Sequence, residues 1–179
     1  MTRFVALLRG VNVGGNKGVP MSALKAVAGG LCLGNPRTVL QSGNLVFSAK
    51  GQTVAVLEAA LEQAIQAEIG VQTAVSVRSA ADWSALTRAN PFPDAAKADP
   101  SHLLLVAFKT PPDPSGPAKI AEAYDGPERI AVSREHAFIV YPDGIGRSKL
   151  TAALLGRHLG QGTARNWNTV LKLEVMLAD

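Results

Sequence analysis

Four short polar stretches of the chain share one chemistry, that of holding an anion. The first, RGVNVGGNKGVP from Arg9 to Pro20, carries Arg9, Asn12, Gly14, Gly15 and Lys17, and the second, QSGN, carries Gln41, Ser42 and Asn44. The third, GRSK, carries Arg147, Ser148 and Lys149, and the fourth, RNWN, carries Arg165, Asn166 and Trp167. Guanidinium and ammonium groups supply charge, amides and hydroxyls supply directed hydrogen bonds, and glycines let backbone N–H groups approach a ligand closely. The first stretch does not match a known nucleotide loop. Its G-x-x-x-x-G, from Gly10 to Gly15, is followed by Asn16, Lys17 and Gly18 where a phosphate loop needs Lys and then Ser or Thr. No G-x-G-x-x-G spacing occurs there either. Taken alone, Gly14, Gly15 and Gly18 describe a tight turn.

The distribution of charge gives the four stretches a common setting. From Met1 to Leu57 there are six cations and no carboxylate, whereas from Glu58 to Asp143 twelve carboxylates outnumber seven cations. From Gly144 to Asp179 five cations face two late carboxylates, Glu174 and Asp179, and the whole chain carries +4. All four polar stretches lie in the basic segments, which points to an anionic partner: a phosphate-bearing small molecule or a nucleic acid. Lys17 precedes the first helix, Arg147 and Lys149 stand at the start of another, and Arg165 lies in the first turn of the last. Cations there oppose the helix dipole at about 0.3–1 kcal/mol each, and a bound anion reverses that sign. Each of these cations taken singly also reads as solvated surface.

Acid–base chemistry is poorly served by the same segments, which hold no carboxylate next to the cations. His102 opens a strand, His136 sits in a turn and His158 lies near a helix end, so the catalytic residues stay unassigned. Asp143, before Gly144-Ile145-Gly146-Arg147, is the one candidate acid, and a turn residue is the plainer account of it. No His, Cys and acid spacing suggests a metal, and no cofactor is implied. The single cysteine, Cys32 in GLCLG, reads as a buried small hydrophobe. Trp167 either stacks on a ligand or anchors the terminal helix, and Trp83 reads as core.

The elements that must position these groups follow from periodicity. RFVALLR reads as a buried strand and MSALKAVAGGL as a helix with Leu24, Val27, Ala28 and Leu31 on one face. RTVLQ and LVFSA flank Ser42-Gly43-Asn44 as a hairpin, a helix runs from about Thr53 to Glu68 with Gly70 as its stop, and VQTAVSVR alternates like a strand. The order is β-α-β-β-α-β, the ferredoxin-like unit. After a short helix around Ala81 to Arg88 and a Pro-rich stretch, HLLLVAFK, PAKIAEAY, RIAVSRE with HAFIVYP, and a helix from about Lys149 to Leu159 begin the order again. In the tail, Leu171, Leu173, Val175 and Leu177 alternate like a strand while Trp167, Val170 and Leu171 fit a helix; a helix is the reading taken. The predicted fold is α+β, two ferredoxin-like halves in one unit: residues 1–79, a helical, Pro-rich connection over 80–101, and 102–179 ending in a helix. In such a unit the turn after the first strand and the hairpin after the second share one sheet edge, so Arg9 to Lys17 and Gln41 to Asn44 should be neighbours. RNA-recognition modules of this topology stack bases on exposed sheet aromatics. Phe4 and Phe47, the aromatics available here, read as core.

Composition sets outer bounds. With 47% apolar and 18% charged residues the chain buries a real core and does not read as disordered. FVALL is too short for a signal core, and no stretch approaches the ~20 apolar residues of a membrane span. A cytoplasmic protein without membrane contact is the expectation; the sequence leaves its oligomeric state open.

LLRGVNVGGNKGVPMSALK, TVLQSGNLVFS, NPF, GRSKLT and TARNWNTVLKL together resemble the bacterial domain of unknown function 1697 family, in order and nearly end to end. The resemblance implies two ferredoxin-like halves and a helical tail, and it implies no activity. Its characteristic motifs fall at Arg9 to Gly15, Gln41 to Asn44, Asn90 to Phe92, Arg147 to Lys149 and Arg165 to Asn168. Three functions stay open at this level: a binding protein for a phosphate-bearing ligand, an enzyme on a small anionic substrate, and a structural module whose loops only pack its halves.

Overall fold

The structure is a computed structural model and describes residues 1–14 and 18–179. Its first half runs β1 (Thr2–Leu8), α1 (Met21–Gly30), β2 (Gly34–Val39), β3 (Asn44–Ala49), α2 (Val54–Ile69) and β4 (Val75–Ser79). Two helices follow, α3 (Ala80–Arg88) and α4 (Pro93–Ala98). The second half runs β5 (Leu103–Phe108), α5 (Gly116–Ala123), β6 (Arg129–Val132), β7 (His136–Val140), α6 (Ala152–Leu159) and β8 (Gly162–Asn166), and α7 (Trp167–Ala178) ends the chain. The strands form two antiparallel sheets, ordered β2-β3-β1-β4 and β6-β7-β5-β8, each the ferredoxin-like order. The chain divides into unit 1, Met1–Arg88 with Lys172–Asp179, and unit 2, Ala89–Leu171.

In unit 1 the strand period of two sets the packing. Phe4, Ala6 and Leu8 of β1, Leu45, Phe47 and Ala49 of β3, and Val75 and Val77 of β4 share a core with Leu24, Val27 and Ala28 of α1 and Leu57, Leu61 and Ile65 of α2. Phe4 and Phe47 stack there with ring centroids 5.8 Å apart, so neither offers an open face to a base. The alternate residues Val5, Leu7 and Val46 are buried as well, which is why β1 reads as a continuous apolar run. In unit 2, Val106, Phe108, Ala137 and Ile139 form the corresponding core with Ile120, Leu150 and Leu159.

The two halves repeat one another at particular residues. Thr53 caps α2 by accepting the Val56 N–H, and Thr151 caps α6 by accepting the Leu154 N–H. Ser79 accepts from the Asp82 N–H at the start of α3, and Asn166 accepts from the Thr169 N–H at the start of α7. Arg78 pairs with Val5 and Arg165 with Leu105 in register, both arginines are buried, and each donates to the preceding carbonyl at 2.8 Å. These are the matched residues of a structural duplication that the sequence alone did not display.

Several readings are corrected. The last helix starts at Trp167, and Arg165 lies before it in β8, a strand whose GTARN sequence has no apolar alternation and which forms by pairing with β5. In α7 itself Trp167, Val170, Leu173 and Leu177 are buried while Leu171 and Val175 are exposed, so the alternating Leu and Val positions fall on two sides of a helix. Arg147 and Lys149 precede α6, which begins only after the Thr151 cap. Cys32 is exposed, because α1 has ended and Cys32 takes a left-handed turn position with φ 56° that carries its side chain outward.

The first carboxylates of the sequence have a structural task. Among the described residues β4 pairs with β1 alone, at the edge of its sheet, which leaves N–H groups on its other side without a strand to accept them. Glu62 and Glu58, one turn apart on α2, accept the Val75 N–H at 2.8 Å and the Val77 N–H at 2.9 Å. Glu58 is 5% exposed, so its loss strands a buried donor. Glu58→Leu is expected to cost about 2 kcal/mol, or roughly 5 °C in Tm, and Glu58→Gln, which keeps an acceptor, less than half of that; thermal unfolding of the two variants checks the order.

Candidate functional site

In unit 1 the first two polar stretches meet. The Leu8 N–H donates to the Gly43 carbonyl at 2.9 Å, and the Asn12 Nδ2 donates to the Gln41 carbonyl at 2.6 Å. Gly43 cannot carry a side chain at this crossing: its φ is +71°, and a Cβ would lie 2.5 Å from a Val11 methyl and 2.8 Å from the Leu8 Cβ. Asn12 acts as a strand-like clasp on the opening stretch, because its Oδ1 accepts the Val19 N–H at 2.8 Å and its Nδ2 donates to the Val19 carbonyl at 2.9 Å. The glycine-rich loop is thereby closed at its base. Asn44 is fully buried and donates to the Val39 carbonyl and the Ser42 hydroxyl, both at 2.9 Å, which fixes the hairpin turn. Asn12, Ser42 and Asn44 thus hold the loops, while Arg9, Gly14 and Gln41 are exposed on them. Arg9 is anchored through its backbone, with its N–H on the Ala74 carbonyl and its carbonyl on the Thr73 hydroxyl. Gly15 and Lys17 lie outside the described residues.

In unit 2 the GRSK stretch lies in a loop, residues 142–150, that main-chain bonds fold tightly: Gly144 N–H to Tyr141 O, Arg147 N–H to Gly144 O, and Ser148 N–H to Ile145 O. Ser148 is the anchor. Its hydroxyl donates to Glu128 Oε1 and accepts the Leu150 N–H at 2.9 Å, and the Tyr124 hydroxyl donates to Glu128 Oε2 at 2.7 Å. Arg147 and Lys149, on either side of Ser148, are exposed. Asp143 is exposed in the same loop and makes the turn that the sequence suggested.

The RNWN stretch lies at the same end of that sheet, since β5 begins, β7 ends and β8 ends there. The Trp167 N–H donates to the Pro100 carbonyl at 3.1 Å, and two residues on, His102 packs against Gly144 of the 142–150 loop. Residues 100–102 therefore sit between GRSK and RNWN. Trp167 is 5% exposed with its ring centroid 6.0 Å from that of Phe138, so it is an anchor of α7, and Asn166 is the helix cap. Arg165 is 8% exposed, and desolvation lowers its pKa to about 10. The NPF stretch is also architectural: the Asn90 side chain accepts the Phe92 N–H, and the Arg129 guanidinium lies 4.8 Å over the Phe92 ring.

Two groups beside the 142–150 loop escaped the sequence reading. His102 Nδ1 lies 3.1 Å from Asp99 Oδ2, and the other oxygen of Asp99 accepts from the Ser101 hydroxyl and N–H. The Ser101 hydroxyl chiefly, with the His102 charge behind it, holds the Asp99 pKa below its ordinary value. A His–Asp pair with one ring nitrogen so oriented has the form of a positioned base. Its signal was the DPSH spacing, which reads equally well as a turn. Glu128 is the second: burial opposes its ionisation, yet the Ser148 and Tyr124 hydroxyls outweigh burial and lower its pKa. Nothing local in the sequence connects Glu128 with Ser148. Among the described residues no group of three or more His, Cys, Asp or Glu could hold a metal, and no helix of the described residues is long and apolar enough to cross a membrane.

The model of a family described as protein of unknown function (DUF1697) matches residues 1–138. No curated protein matches the chain. Among solved structures, the conserved bacterial protein SP0830 from Streptococcus pneumoniae is similar over 98% of this chain and 98% of that one, with a TM-score of 0.74 and 22% sequence identity. At that identity the likeness speaks for the fold alone.

The Glu128 cluster has a measurable signature. The hydrogen bond to Glu128 raises the Tyr124 pKa, and desolvation, with the Glu128 charge behind it, raises that of Tyr141 to about 12. These are the chain's two tyrosines. An alkaline titration followed by phenolate absorbance should place both midpoints of the folded protein above the ordinary value of about 10, with Tyr141 the later. A phenol whose folded pKa is raised binds its proton more tightly when folded, so its stabilisation is complete below pH ~10 and is lost as pH rises toward the folded value. Tyr141→Phe should flatten that loss in melting experiments above pH ~10.

Proposed function

The chain belongs to the protein-of-unknown-function family DUF1697, and on that footing we propose that it is a binding protein for a phosphate-bearing ligand, a nucleotide-like molecule or a nucleic acid, that seats on the 142–150 loop of unit 2. The observation that carries this is the pair Arg147 and Lys149. Both are exposed on a loop that main-chain bonds have already fixed, and neither is paired with a carboxylate among the described residues. Glu128, the acid beneath them, is engaged by Ser148 and Tyr124. Because the loop backbone is already fixed, binding an anion orders only the two side chains. In unit 1, Arg9 and Gln41 are exposed on the 9–14 and 40–44 loops, with Asn12, Ser42 and Asn44 holding these loops in place and Gly14 on their surface; Lys17 and Gly15 adjoin them in sequence. Asn166 and Trp167 serve the site in unit 2 by fixing the chain beside residues 100–102.

Binding of a labelled single-stranded oligonucleotide should weaken steeply with salt. The double variant Arg147→Ala, Lys149→Ala should reduce the magnitude of the log K against log salt slope by about 1.4, while Tm stays within the small range of surface substitutions. Absence of binding to the oligonucleotide at low salt would remove the nucleic-acid version, and adenosine triphosphate as probe would test the nucleotide version.

A second reading, an enzyme on a small anionic substrate, is favoured by the Asp99–His102 pair beside the loop. In it Arg147 and Lys149 clamp the anion and His102 moves the proton. If so, turnover of p-nitrophenyl phosphate should fall by roughly 10²–10⁴ in His102→Asn, with binding retained; no turnover by the unsubstituted protein would eliminate this reading.

A further inference from the structure

We propose that unit 1 carries a separate binding site for a small organic carboxylate, in the cavity where the last turn of α7 meets β1, β2 and β3. The cavity is about 460 Å³, within the usual range for small-molecule sites. Arg3 of β1 and Arg37 of β2 line it, with Ser48 and Val46 of β3, Pro36, and Asp179. The register places Arg3 opposite Ser48 and Arg37 opposite Val46, so the two arginines share one face of the sheet in adjacent rows, over the buried Ser48 and Val46.

The guanidiniums are held in place by backbone. Arg3 NH1 donates to the Leu177 carbonyl at 2.9 Å and Arg37 NH2 donates to the Met176 carbonyl at 2.6 Å, which satisfies carbonyls that the end of a helix leaves without partners. A guanidinium has five N–H donors. Arg3 spends one on Leu177 and meets no carboxylate within 4 Å among the described residues. Besides its bond to Met176, Arg37 has among the described residues only a loose pair with Asp179 at 3.6 Å, whose side chain is 60% exposed. Both arginines therefore keep donors for a ligand without any cost of repositioning.

The contacts of the lining point to the class. The two guanidiniums attract an anion, and the group that already rests on Arg37 is a carboxylate, that of Asp179. Planar carboxylate oxygens match the guanidinium fork, the Ser48 hydroxyl is a further donor, and the half-buried Pro36 lies beside them for a short apolar body. Asp179 stands in for the ligand by resting on Arg37, and an incoming carboxylate displaces it. This site shares no residue with the 142–150 loop, so the two assignments stand or fall separately.

The test uses benzoate and, in parallel, inorganic phosphate, with the arginine Nε–H resonances of the full chain as readout. Benzoate should move the Arg3 and Arg37 signals saturably, and phosphate should move them far less. Asp179→Asn removes the competing carboxylate and leaves both arginines on their helix carbonyls, so benzoate should bind up to about fivefold tighter. Ser48→Leu should fill the cavity and abolish the shifts; if that variant does not fold, the Asp179→Asn comparison decides alone. Signals unmoved by benzoate, a response to phosphate that equals or exceeds that to benzoate, or unchanged or weaker benzoate binding in Asp179→Asn would each overturn the assignment.

Discussion

Much of this structure follows from one constraint: backbone donors and acceptors at the ends and edges of elements must be satisfied once they leave water. The open side of β4 is the clearest case. Two glutamates one turn apart on α2 accept its Val75 and Val77 N–H groups, and this ties the helix to the strand at a fixed register. The same rule operates with opposite polarity at the end of α7, where Arg3 and Arg37 donate to carbonyls that the helix cannot satisfy itself. Asn12 does both at once on Val19. Side chains in this chain substitute for neighbouring strands and further helical turns.

That economy divides the polar motifs into two groups. Asn12, Ser42, Asn44, Ser148, Asn166 and Trp167 spend their polar groups or their burial on loop bases, turns, a helix cap and an anchor. Arg147 and Lys149 sit on the scaffold so formed, and Arg9 and Gln41 do so on the other. A fixed loop removes the backbone part of the ordering cost of binding and leaves only the rotamer freedom of the cation to be lost. The holding residues therefore fix the loops on which the exposed cations stand.

The duplication bears on where such loops arise. Thr53 answers to Thr151, Ser79 to Asn166 and Arg78 to Arg165, yet the polar loops are not equivalent. Unit 1 carries them after β1 and between β2 and β3, and unit 2 carries them after β7, at the topologically opposite sheet end. The repeat preserves what the fold needs, caps and edge partners, and leaves the surface loops free to differ.

The sequence by itself determined the elements with strong periodicity: β1, the α1 face through Leu24, Val27 and Ala28, the α2 helix between Thr53 and Gly70, and the β2-β3 hairpin. Burial on a fixed face demands a repeat of 3.6 or 2, and that repeat is local. From the order of those elements it also followed that the loops at Asn12 and Gln41 meet. Tertiary structure alone decided what depends on distant partners. β8 exists because β5 is there to pair with it, and Arg165 is buried because it lies in that strand. Glu128 reaches Ser148 across twenty residues, and Asp99 faces His102 through the shape of one turn. A hydrogen bond or a burial between residues remote in sequence leaves no period in the chain, since its cause is the packing of whole elements.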